Sequence, residues 1–164
     1  MVLPTFEHLP EAKQARVTAA LLAEFSHYPL AQAQVARIVT AADIARGAFY
    51  KYFLDLTDAY QYVFQQAMRE IHSQLPQRPT THNTAVYIDA IRQFVGAADA
   101  CGYQALIVMH YRYNEGFLGV QPSRIAPPKT WAFTTLYHQT LRDVLLAPDT
   151  LDARLAQLEA ALAE

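Results

Sequence analysis

With 164 residues, of which 52% are hydrophobic and only 17% charged, the chain can bury a core of its own, which excludes a disordered polypeptide. Its one cysteine, Cys101, excludes an intrachain disulfide and a cysteine-built metal cluster, so we expect no metal, no cofactor and a reducing, cytoplasmic setting. A net charge of −2 excludes nucleic-acid binding through overall basicity, and no apolar run approaches the roughly 18 residues that cross a bilayer, so no membrane partner is expected.

The opening segment carries Glu7 between Pro4 and Pro10 and lacks the charged-then-apolar order of an export signal. Long stretches of Ala, Leu, Gln and Arg with apolar residues every three or four positions then predict an all-α chain. A first helix is expected from Pro10 to His27, with Ala15, Thr18, Ala19, Leu22 and Phe25 as its inward stripe, ended by Tyr28 and Pro29. Two short helices follow, at 34–41 and 45–53, separated by a turn at Ala42, Asp43 and Ile44. A longer helix over 57–73 is expected to lead from an N-terminal head, residues 1–56, into a helical body, residues 57–164.

In the body, the proline-bearing stretch 74–83 reads as a loop. Helices are expected over 84–98, from just after Gly102 with Leu106, Ile107, His110 and Tyr111 and on towards Phe117, and over 129–146, where Trp131, Phe133, Leu136, Tyr137, Leu141, Val144 and Leu145 form an apolar row. A second loop covers 119–128. The last helix opens at Asp149 or Thr150 and carries Leu151, Leu155, Leu158 and Leu162, a stripe suited either to packing within the chain or, in our preferred reading, to a homodimer.

The segment with functional content is QVARIVTAADIARGAFYKYF, residues 34–53. A helix-turn-helix needs two short helices wedged by apolar residues and an outward face on the second that can enter a major groove. Val35, Ile38, Val39 and Ala42 supply the first buried face; Ile44, Phe49 and Phe53 supply the second. Asp43 stands where a left-handed residue is needed, a conformation that Asp tolerates better than most. With Phe49 inward, a step of about 100° per residue turns Gly47, Tyr50 and Lys51 outward, with Arg46 at the helix start and Ala48 on one flank. Arg46 can donate to guanine or phosphate and Lys51 to phosphate; Gly47 admits a close backbone approach, and Tyr50 and Tyr52 add phenolic donors. Gln34, at the start of the first short helix, and Arg37 offer an amide and a guanidinium to a phosphate. Arg37, Arg46 and Lys51 against the single acid Asp43 make this segment locally positive.

These residues resemble the TetR family of transcription regulators. The resemblance runs through Phe25, Val35, Ile38, Ala42 and Ile44 to the block Gly47-Ala48-Phe49-Tyr50-Lys51-Tyr52-Phe53, and it covers the first third of the chain. It implies an N-terminal three-helix helix-turn-helix domain followed by a helical effector-binding and dimerisation domain. It also implies DNA contacts at Arg46, Gly47, Ala48, Tyr50, Lys51 and Tyr52, with a phosphate contact near Gln34. The implied protein is a homodimeric repressor released from its double-stranded operator by a small-molecule effector. Four positions depart from the family pattern: Val39 for a small alanine, Asp43 for the turn glycine, Ala48 for a hydroxyl residue, and Leu56 for a phosphate-binding lysine.

Candidate effector contacts in the body are Tyr87, Phe94, Tyr103, His110, Tyr111, Trp131 and Tyr137, with Tyr113 and Phe133 beside them; ordinary core packing is the competing reading for each. His138 and Arg142, one helical turn apart, suit a polar cavity edge, a dimer contact or a solvated face. No arrangement of nucleophile, phosphate-cradling loop or metal ligands points to an enzyme. The alternative to a regulator is a helical small-molecule-binding protein that keeps the fold and has lost operator binding, a reading suggested by Leu56.

Overall fold

The structure is a computed structural model that describes residues 2–73, 75–76, 79–80, 83–96, 102–119, 122 and 125–163. Helices account for all the regular structure among these residues. They are α1 (Pro4–Glu7), α2 (Glu11–His27), α3 (Val35–Ala41), α4 (Arg46–Tyr52), α5 (Leu56–Ser73), α6 (Thr84–Gly96), α7 (Gln104–Met109), α8 (Glu115–Leu118), α9 (Pro128–Leu146) and α10 (Leu151–Leu162). Expected and observed boundaries agree within a residue or two where both can be compared. Residues 97 and 98, expected to end the α6 helix, lie outside the described set.

The chain divides into two compact units. The first comprises Met1–Glu70 with Ala105–Leu118, and the second Ile71–Gln104 with Gly119–Glu164. The first unit's core is aromatic: Phe6, Phe25, Phe49, Phe53 and Tyr60 are each at most 2% exposed. Helix α1, which no periodic pattern predicts, drops Phe6 between Phe53 and Tyr62, at ring-centroid distances of 5.1 and 5.2 Å. The Leu3 amide donates to the Tyr52 carbonyl at 3.0 Å, tying the N-terminal segment to the end of α4.

Two features of this unit correct the expected pattern. In α2 the buried row is Val17, Ala20, Leu21, Glu24 and Phe25, while Ala15 and Ala19 are exposed and Thr18 and Leu22 only partly covered. The i, i+3, i+4, i+7, i+8 spacing is that of one helix face, and a hydrophobicity criterion misses it because one member is a carboxylate. The second feature is a π-helical turn, His110–Asn114, between α7 and α8, where a continuous α-helix was expected. It turns Asn114 into the interior at 1% exposure, where Asn114 Oδ1 accepts from the Leu30 amide at 2.8 Å. His110 Nδ1 meets the Tyr60 hydroxyl at 2.9 Å and its ring lies 4.3 Å from that of Phe64. Burial pushes the Tyr60 phenol well above its ordinary value.

In the second unit α6, α9 and α10 pack on one another. Tyr87 and Ile91 of α6, Phe133, Tyr137, Leu141, Val144 and Leu145 of α9, and Leu155 and Leu158 of α10 are buried. Within the leucine stripe of α10, Leu155 and Leu158 are each 2% exposed and pack inside the chain, whereas Leu151 and Leu162 at its ends are half-buried. Trp131 is corrected too, being 51% exposed. It sits about 160° around α9 from Phe133, at 100° per residue, so the two cannot share a face. Among the described residues no helix is long and apolar enough to cross a membrane, and no cluster of three or more His, Cys, Asp or Glu could hold a metal ion.

Candidate nucleic-acid interface

The two short helices are set by their ends. Gln34 is extended, and α3 begins at Val35 without a side-chain cap of its own. Glu24, reaching across from α2, supplies the missing acceptor: its carboxylate takes the Gln34 amide at 2.7 Å. At the other end, Arg16 Nε donates to the Ala42 carbonyl at 2.9 Å. The chain then turns through Asp43, whose φ of 50° is the only positive value at a described non-glycine residue. That left-handed residue lets the Asp43 amide reach the Thr40 carbonyl and the Ile44 amide reach that of Val39, at 3.3 and 3.1 Å. The expected turn is present, with an aspartate where glycine would be less strained.

Helix α4 restarts at Arg46 behind an extended Ala45. Phe49 and Phe53, both at 0% exposure, hold its inner face, their centroids 5.5 Å apart. The opposite face carries Arg46, Gly47, Tyr50 and Lys51, all exposed, with Ala48 half-buried on the flank. A Cβ built on Gly47 would meet nothing within 4 Å, so packing within this chain does not demand the glycine. The space it leaves lies on the outward side, where a partner's backbone can come close.

Two expected contacts fall elsewhere. Tyr52 is 4% exposed, its ring 5.7 Å from that of Phe6, so it anchors α4 instead of presenting a phenol outward. Arg37 is engaged: its Nε and Nη2 donate to Glu24 at 2.6–3.1 Å and its guanidinium lies 3.8 Å over the Tyr28 ring. Its hydrogen bonds to Glu24 raise its pKa further, so it is a fixed positive charge beside Gln34. Gln34 itself is exposed, but its amide is taken by Glu24. The sequence signal for both was a lone glutamate on the apolar row of α2. Leu56 is half-buried at the first turn of α5, whose start is held by Asp58 Oδ2 accepting the Leu54 amide and Asp55 Oδ1 accepting that of Asp58.

Of the candidate effector contacts, Tyr87 and Tyr137 come together with Phe133 along a cleft of about 370 Å³ in the second unit. Their rings meet edge to face, Tyr87 to Phe133 at 4.9 Å and Tyr87 to Tyr137 at 5.4 Å. Leu75, Pro76 and Pro79 add apolar wall; His72, Thr134 and His138 add polar groups. Phe94 and Tyr103 do not line this cleft, Trp131 faces away, and His110 and Tyr111 belong to the first unit. The cleft-edge reading of His138 fits its position, whereas Arg142 is not part of the lining. His72, in the last turn of α5, and the prolines of the segment leaving that helix had no signal of their own. The crowding around the His138 ring, and then the charge of neighbouring His72, hold its imidazole below the ordinary histidine value although one side stays open to solvent.

No protein-family profile matches the chain, and no curated protein matches its sequence. Among solved structures, the fold is similar to that of a TetR family transcriptional regulator from Chloroflexus aurantiacus J-10-FL, with a TM-score of 0.62 at 23% identity. The match covers 100% of this chain and 78% of that one. The chain therefore has the all-helical fold of that regulator, with its helix-turn-helix head.

Proposed function

We propose that this chain is a cytoplasmic transcription regulator of the TetR type that binds double-stranded DNA as a homodimer through α4 and releases it when a small molecule binds the body. The observation that carries the reading is the outward face of α4: Arg46, Gly47, Tyr50 and Lys51 are all exposed while Phe49 behind them is fully buried. A helix held by a rigid aromatic core, with a cation at each end of its open face and a glycine between, suits insertion into a major groove. Ala48 joins this face from its flank, and the exposed Gln34 side chain stands at the start of α3 for a phosphate, with Arg37 beside it held by Glu24.

The functional division is 1–56 for DNA and 57–164 for effector and dimer contacts. Residues 105–118 pack with the first 70 residues and give the body's chain a place in the head's compact unit. The exposed Trp131 and Leu136 on α9 are apolar surface that a second copy can cover. A repressor that lets go on binding its effector is the mode of action we assign.

Selection of bound sequences from random DNA tests this. The expected product is a two-fold symmetric site with half-sites about 34 Å, or a multiple of it, apart. Failure to enrich any sequence, together with no salt-sensitive DNA affinity, overturns it and leaves a helical ligand-binding protein.

A further inference from the structure

We infer that the cleft between α6, α9 and the end of α5 takes an aromatic carboxylic acid, and that His138 accepts a proton when the acid binds. This rests on the effector reading above and names the class of effector. The walls are three aromatic rings, Tyr87, Phe133 and Tyr137, with two prolines and a leucine, and the volume of about 370 Å³ suits a one- or two-ring ligand. The titratable groups that line it are His72 from α5, Tyr87 from α6, and Tyr137 and His138 from α9; no carboxylate, lysine or arginine is among the described lining residues. Arg142, one turn further along α9 from His138, lies outside the described lining.

The proton balance follows from one hydrogen bond. His138 Nδ1 lies 2.9 Å from the Thr134 carbonyl, which can only accept, so Nδ1 carries the proton. In the neutral ring Nε2 is then an acceptor and has nothing to offer a carboxylate. A carboxylate can be held at Nε2 only if the ring takes a second proton from solvent, giving an imidazolium and carboxylate pair in the place of a neutral imidazole, a free carboxylate and a proton. The neighbouring His72 ring, 6.1 Å away, opposes that second proton in the empty cleft, and an anion between the two removes the opposition. Tyr87 leaves the polar work to the histidines, since its hydroxyl donates to the Pro76 carbonyl at 2.6 Å.

Titration calorimetry of the full chain with 1-naphthoate and with the neutral 1-naphthalenemethanol tests the proposal, from pH 6 to 8 in two buffers of different ionisation heat. The expected result is naphthoate binding with net uptake of up to one proton, a Kd that rises by up to tenfold per pH unit, and at least tenfold weaker binding of the alcohol at pH 6. His138→Gln, checked for fold by circular dichroism, is expected to abolish the uptake and flatten the pH profile. Equal binding of the two probes, naphthoate binding without proton uptake, or no binding of naphthoate overturns it; the wild-type profile decides even if the variant misfolds. Operator DNA separates this from the broader reading. Naphthoate that binds with proton uptake and leaves DNA affinity unchanged upholds the class of ligand and removes the effector role; DNA release by a neutral ligand alone does the reverse.

Discussion

Phe49 and Tyr50 are neighbours in the sequence and opposites in the structure, and exchanging each for alanine should produce opposite phenotypes. Phe49 is 0% exposed and packs against Phe53 at 5.5 Å. Burying a phenylalanine is worth about 1.5–3 kcal/mol, and the cavity left by truncation raises the cost of Phe49→Ala to roughly 3–5 kcal/mol. For a unit of this size each kcal/mol moves the melting temperature by about 4–8 °C, so the expected drop is at least about 12 °C. Phe49→Leu should recover most of it, losing less than about 1.5 kcal/mol. Tyr50 is 48% exposed and touches Phe49 only edge to face at 5.3 Å. Its truncation should cost about 1 kcal/mol or less, yet weaken DNA binding because the lost ring belongs to the outward face. Thermal melts followed by circular dichroism, with DNA affinity measured by fluorescence anisotropy on the folded variants, give both readouts. A Phe49→Ala protein that melts with the wild type, or a Tyr50→Ala protein that loses stability while binding DNA normally, would refute the orientation of α4.

Two further expectations concern the framework around the face. Glu24→Gln removes the charge that holds Arg37 and sets an amide donor against its guanidinium; the melting temperature should fall by several degrees, while the freed Arg37 steepens the salt dependence of DNA binding, and a variant unchanged in both would contradict the role given to Glu24. Asp43→Ala places a β-carbon without a compensating side-chain oxygen at φ 50° and should destabilise by about 1 kcal/mol, whereas Asp43→Gly should be at least as stable as the wild type in the same denaturant titration; the reverse order would remove the strain assigned to this turn.

The helices were legible because period is a local property: the boundaries of α3 and α4 follow from a few residues each. The outward set Arg46, Gly47, Tyr50 and Lys51 followed from fixing Phe49 inside, and Asp43 followed from turn chemistry. What escaped was decided by partners distant in sequence. Glu24 is buried because Arg37 and the Gln34 amide neutralise it, and that one carboxylate hid the true face of α2. Tyr52 is inside because α1, an element without any periodic signal, brings Phe6 to it. The π turn at His110–Asn114 inserts a residue that no α-helical register anticipates, and the cleft draws Leu75, Pro76 and Pro79 from a proline-bearing exit segment.

The salt dependence of DNA affinity reports on the face of α4 most directly. Plotted as the logarithm of affinity against that of salt concentration, the wild type should fall steeply, and Lys51→Ala should lower the slope by about one unit as one phosphate contact is lost. Arg46→Ala should also weaken binding. Identical slopes and affinities for the wild type and both variants would contradict the account, because the two cations could not then be meeting DNA.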